Sequence, residues 1–247
     1  MSRTQVSRAA AELLGTAFLV AAVVGSGIAA TRLSPDDVGL QLLENSIATG
    51  AVLVALILAL QPVSAAFNPV VTLVELGLRQ LRTGEALVLI LAQLAGGTLG
   101  AVAANLMFDL DAVSLSTRDR SGGDLWLAEV VATVGLVLVI FGSIRSGRTD
   151  TIAFAVGGYI AAAYWFTSST SFANPAVTLA RVFSDTFAGI APSSAPMFVL
   201  MQLGGGALGL LLVRLLYPTL PAMIPGHPSD PCDRPRSATS ASDQETS

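Results

Sequence analysis

The chain has 247 residues, of which 53% are hydrophobic and only 12% charged, with a formal net charge of −4. That is too apolar for an ordinary soluble domain, and the acidic balance gives no footprint for nucleic acid. All 13 basic residues are Arg, and the one Cys (Cys232) and one His (His227) sit together in a polar C-terminal stretch. A disulfide framework, a Cys-rich metal site, and a His-based catalytic site or histidine proton relay within a membrane are therefore excluded, and no cofactor or metal is expected.

Apolar runs of roughly 18 or more residues mark membrane-spanning helices. The sequence predicts six of them, at 8–32, 41–61, 84–108, 125–144, 149–167 and 195–217. The first follows Arg3 and Arg8 but is long for a leader peptide and runs on into a multi-span pattern, so it is read as a span. Two further helical segments, 69–79 and 175–187, follow the second and fifth spans. They are too short to cross a hydrocarbon core of about 30 Å. Each opens on Asn-Pro: Asn68-Pro69-Val70 and Asn174-Pro175-Ala176. Asn is a good N-cap, and Pro is favoured at the first helical position, where its missing N–H costs nothing. One Asn-Pro is an ordinary turn signal; here the surroundings repeat as well.

Ala11-Glu12 in the first span recurs as Ala128-Glu129 in the fourth. Gln93 with Gly96, Gly97 and Gly100 in the third recurs as Gln202 with Gly205, Gly206 and Gly209 in the sixth. The glycines have small-xxx-small spacing, which lets helix backbones approach closely. Each half thus reads span, span, half-helix, span. Three spans per half is an odd number, so the second half inserts upside down. The expected fold is an all-α membrane protein of six transmembrane helices and two re-entrant half-helices in two inverted repeats. The domain expectation is a channel unit at 1–217, with repeats at about 8–108 and 125–217, and a disordered tail at 218–247, rich in Pro, Ser, Thr and Asp. Arg3, Arg8, Arg79, Arg82, Arg145 and Arg148 fall on one side; Arg32, Arg118, Arg120 and Arg181 fall on the other, diluted by aspartates. Positive-inside then puts both termini in the cytoplasm of a multi-pass inner-membrane protein.

A half-helix ending inside a bilayer is tolerated only where its freed backbone lines a cavity or is buried in protein. Inverted repeats bring two such N-termini together near the midplane, each with about half a positive charge. They oppose cations, while the Asn68 and Asn174 amides donate to a passing neutral oxygen. The loop carbonyls of 64–67 and 168–173 accept along the same path. This describes a passive, non-enzymatic pore for small uncharged polar solutes.

Over about residues 8–217 the chain resembles the major intrinsic protein family, the aquaporins and aquaglyceroporins. The resemblance rests on the two Asn-Pro boxes, Ala11-Glu12 with Gly15-Thr16, and the Gln-plus-glycine pattern of the third and sixth spans. It implies a homotetramer with an hourglass pore in each subunit. It implies that Glu12 and Glu129 are buried acids bonded to the loop backbones; proton coupling is the alternative role for them. Val70 stands where the family usually has Ala. Val177 stands where most members carry the Arg of the narrow filter, and Thr178 where glycerol facilitators have Asp. The resemblance places the remaining filter positions at Thr49, at Ala162 or Ala163, and at Ser171 or Phe172. Such a filter is wider and less polar than that of a strict water channel. Arg181, one turn beyond Val177, is either a displaced vestibule cation or an interfacial residue paired with Asp185. The stretch 174–190 is similar to a bacterial branch associated with arsenic resistance, which implies arsenite, as neutral arsenous acid, or glycerol-like polyols as solutes. A water-selective channel is the nearer rival, and an ion-coupled transporter with broken helices the more distant one.

Overall fold

The long apolar runs fold as helices because a backbone in lipid must satisfy its own hydrogen bonds. The computed structural model describes residues 2–218, and among these it contains helices and connections but no strand. The helices are α1 (Arg3–Leu33), α2 (Val38–Leu60), α3 (Pro69–Gly77), α4 (Thr83–Met107), α5 (Gly123–Arg145), α6 (Ile152–Phe166), α7 (Pro175–Ala180) and α8 (Ala195–Leu216). The expected tail falls on 219–247, and His227 and Cys232 with it, outside the described residues.

Five helices have both the length and the hydropathy of membrane spans: α1, α2, α4, α5 and α8. The sixth span, α6, has only 15 helical residues, extended at its start by a 3-10 turn at Thr149–Thr151. At about 1.5 Å and 2.0 Å per residue the two together reach roughly 28 Å, near the hydrocarbon thickness. The second half-helix is also shorter than the predicted 175–187. It ends at Ala180, and a 3-10 turn covers Arg181–Phe183. Competing backbone bonds stop it: Ser116 N–H donates to the Val182 carbonyl (2.9 Å), and the Asn105 side chain donates to that of Phe183 (3.0 Å).

Packing repeats with the sequence. α1 lies against α4 and α2, as α5 lies against α8 and α6. Each half-helix packs on the last helix of both halves, and α2 against α6 joins the halves. Glycine permits the close crossings. A Cβ on Gly96 or Gly100 would strike the carbonyl oxygens of Leu13 and Ala17; one on Gly205 would lie 2.8 Å from the carbonyl of Val130. At the α2–α6 seam Gly50 and Gly157 face each other, each with its missing Cβ position 2.6–2.8 Å from the other's carbonyl oxygen. The predicted departure at Val70 is absorbed in the same way, since its Cγ1 occupies the space a Gly206 side chain would need.

Candidate functional site

The two Asn-Pro stretches meet tip to tip. Each asparagine has extended backbone and caps its own half-helix: Asn68 Oδ1 accepts from Val70 N–H (2.9 Å), and Asn174 Oδ1 from the N–H groups of Ala176 (3.0 Å) and Val177 (3.3 Å). Pro69 and Pro175 stand at the first helical positions. Each asparagine also reaches across. Asn68 Nδ2 donates to the Ala173 carbonyl and Asn174 Nδ2 to the Phe67 carbonyl, both at 2.8 Å. Those two carbonyls are presented by left-handed residues, φ 48° at both Phe67 and Ala173.

Buried acids hold these strained loops from behind. Glu12 is fully buried and accepts from Ser64 Oγ (2.6 Å), the N–H groups of Ala66 (2.9 Å) and Phe67 (2.7 Å), and Gln93 Nε2 (2.8 Å). Glu129, equally buried, accepts from the N–H groups of Phe172 and Ala173 (2.9 Å each) and Gln202 Nε2 (2.6 Å). Gln93 and Gln202 in turn donate to Thr72 and Thr178 on the half-helices. A carboxylate in lipid is costly alone, and three or four donors are what make it tolerable.

One cavity of about 540 Å³ runs past both tips. Its wall includes Gln61, Thr149 and Arg8 towards one end, Asn68, Val71, Asn174 and Val177 along the half-helices, and Thr49, Ser171, Phe172 and Arg181 towards the other end. Pro69, Val70, Pro175 and Ala176 do not line it; they are buried in the packing behind. Of the predicted filter positions, Thr49, Ser171, Phe172 and Val177 come together on the wall. The α6 positions do not. Ala162 faces outward and Ala163 is buried against protein, because the wall-facing side of α6 runs through Ile152, Val156, Ile160 and Tyr164 at four-residue spacing. Tyr164 hydroxyl meets Thr49 Oγ1 at 3.1 Å. That spacing was visible in the sequence and identifies the face, where alignment to an alanine did not.

Arg181 does not pair with Asp185. Its side chain is buried (3% exposed), its Nε donates to the Ala188 carbonyl, and its guanidinium carbon lies 3.4 Å from the Phe172 ring centroid. Asp185 instead accepts from Thr117 N–H at 2.9 Å. Arg120 stands on the same ring, 4.9 Å from its centroid, and burial lowers its pKa to about 10, so it stays charged at neutral pH. Phe172 is steadied from below by Phe198, edge to face at 5.2 Å. Tyr164 and Arg181 bring to this end polar groups and bulk that the residue types at the expected filter positions did not imply.

Among the described residues no group of three His, Cys, Asp or Glu side chains could hold a metal. The sequence pattern described as Major intrinsic protein matches residues 1–151 and 145–243. The chain belongs to the major intrinsic protein family. It is 50% identical over 216 residues to a protein named Aquaglyceroporin AqpS from Rhizobium meliloti (strain 1021), covering 87% of this chain and 92% of that one. Its fold is similar to the X-ray structure of the aquaglyceroporin from Plasmodium falciparum, with a TM-score of 0.66 at 20% identity, over 86% of this chain and 95% of that one. As a major intrinsic protein, with a cavity lined by both half-helix asparagines, it is a passive membrane channel for small uncharged solutes.

Proposed function

We propose that the solutes are hydroxylated molecules of polyol size, glycerol-like polyols and arsenous acid among them, and that the narrow filter is formed by Thr49, Tyr164, Ser171, Phe172, Val177 and Arg181. The observation that carries this is Val177 on the cavity wall, where a side chain without charge or donors leaves lateral room beside the tips. The 50% identical relative is named an aquaglyceroporin, which agrees with a conduit wider than water requires. Asn68 and Asn174 form the central constriction, while Pro69, Val70, Pro175 and Ala176 fix its geometry, and Glu12 and Glu129 act as structural acids, not as proton carriers. The chain is no enzyme on this reading: it moves solute down its own gradient. Swelling of proteoliposomes in glycerol and in arsenous acid gradients tests it. Water flux without flux of either solute would give the protein to the rival reading, a water-selective channel, for which the bulk of Tyr164 and Arg181 speaks.

The same reading places the protein in the inner membrane as a homotetramer with both termini cytoplasmic, so that the Arg181 end of the cavity opens outward. Its support is the arginine distribution and the family's habit. Labelling of single cysteines introduced at exposed positions Arg79 and Asp111 in intact cells would report the orientation. Chemical cross-linking in native membrane would report the oligomer.

A further inference from the structure

The two half-helices share a register but not a charge. Along α3 the wall-lining side chains are Asn68, Val71 and Glu75; along α7 and its 3-10 extension they are Asn174, Val177 and Arg181. Both sets stand at the asparagine and three and seven residues beyond it, so Glu75 is the repeat counterpart of Arg181. At about 1.5 Å per residue each charge lies roughly 10 Å from its own tip, on opposite sides of the junction.

Among the described residues, the acidic and basic side chains on the wall are Arg8, Glu75 and Arg181, with Glu75 the one acid. Both half-helix N-termini direct positive partial charge at the junction. A field that repels cations attracts anions equally, and in a narrow low-dielectric passage it is focused rather than screened. Arg181, Arg120 behind it and Arg8 at the far end all add to that attraction. Glu12 and Glu129 oppose this attraction from behind the loops, where each is engaged by three or four donors; the arginines and dipoles facing the passage favour anions. Glu75 is half-buried and accepts no side-chain hydrogen bond from a described residue; Arg8, on the same wall, is the cation whose field reaches it, and Glu12 is the acid that opposes its charge.

We propose that Glu75 is a specificity-determining residue of the channel: its side chain bars anions from a passage whose wall arginines and helix dipoles draw them in. The inference rests on the neutral-solute reading above. The test uses the full chain in lipid, with currents measured under a KCl gradient and glycerol swelling measured on the same preparation. The parent is expected to carry neither potassium nor chloride. Glu75→Gln and Glu75→Asn are expected to gain a chloride-selective current at least about tenfold above the parent's, with glycerol flux within about twofold, and Glu75→Asp is expected to stay tight. Chloride-tight behaviour in both neutral variants, or a parent that already conducts chloride, overturns the proposal. A parent that fails to pass glycerol, with Glu75→Gln still gaining chloride current, would sink the polyol reading and leave the barrier standing.

Discussion

The guanidinium of Arg181 rests 3.4 Å from the centre of the Phe172 ring, and both side chains line the cavity beyond the half-helix tips. The cation is carried one turn later than the filter position at Val177, held by the Ala188 carbonyl on one side and the ring on the other. Arg181→Ala removes the bulk and the charge together. Permeability to a four- or five-carbon polyol relative to glycerol is expected to rise roughly fivefold, equivalent to about 1 kcal/mol of barrier. Stopped-flow light scattering on proteoliposomes reads this ratio directly; an unchanged ratio would place Arg181 outside the narrow part.

Val177→Arg works in the opposite direction. A second guanidinium one turn closer to the tips fills the lateral room and meets Arg181 in the same passage. Glycerol flux is expected to fall by about tenfold or more, while water flux falls less. Equal loss of both fluxes would indicate general collapse rather than filtering.

The acids behind the loops are expected to act on stability before they act on flux. Glu129→Leu leaves the N–H groups of Phe172 and Ala173 and the Gln202 amide without their acceptor. Each orphaned donor costs about 1–3 kcal/mol, so a loss of about 3 kcal/mol or more follows. Glu129→Gln retains one acceptor oxygen and is expected to lose less. Thermal unfolding in detergent ranks the two, and a Leu variant as stable as its parent would refute the bracing role.

Val70 and Gly206 form a coupled pair. A Cβ on Gly206 would lie 2.5 Å from Val70 Cγ1. Gly206→Ala alone is expected to destabilise by about 1–3 kcal/mol through overpacking, and the Val70→Ala background is expected to relieve most of it. A double-mutant cycle by thermal unfolding checks the coupling; additive effects would mean that the two side chains do not compete for one space.

Acid is expected to loosen the connection between α4 and α5. Asp119, an exposed residue, has its pKa lowered chiefly by the Ser121 hydroxyl (2.6 Å), then by the Ser194 hydroxyl (2.8 Å). Its folded value lies below the unfolded one, so its contribution is full above the unfolded aspartate value of about 3.9 and is lost as pH falls through the lower folded value. The protection factor of the Arg120 amide, whose N–H donates to Ser194 Oγ at 3.0 Å, is expected to be flat down to about pH 4 and to fall below it.

The repeat made the architecture readable. Paired Ala-Glu, Asn-Pro and Gln-Gly markers gave the order of the spans and the opposition of the half-helices, because helix caps and backbone clearance need particular residue types. The site was readable where one residue acts through its own backbone, as at Asn68 and Asn174. It was less readable where a side chain reaches across space. Arg181 is held by Ala188 and Phe172, partners that follow from how a loop folds back. The family resemblance points to the alanines two and one residues before Tyr164, whereas the four-residue rhythm of Ile152, Val156 and Ile160 leads to Tyr164 itself. The early end of α7 depends on bonds from Asn105 and Ser116, residues some seventy positions distant, and no local propensity encodes them.

The crossed asparagine bonds carry a consequence for what the narrowest point can offer. Each side-chain oxygen accepts from its own helix and one amide hydrogen is committed to the opposite loop, which leaves one amide hydrogen per asparagine to offer a solute oxygen. A solute that meets this pair is therefore expected to turn an oxygen towards it.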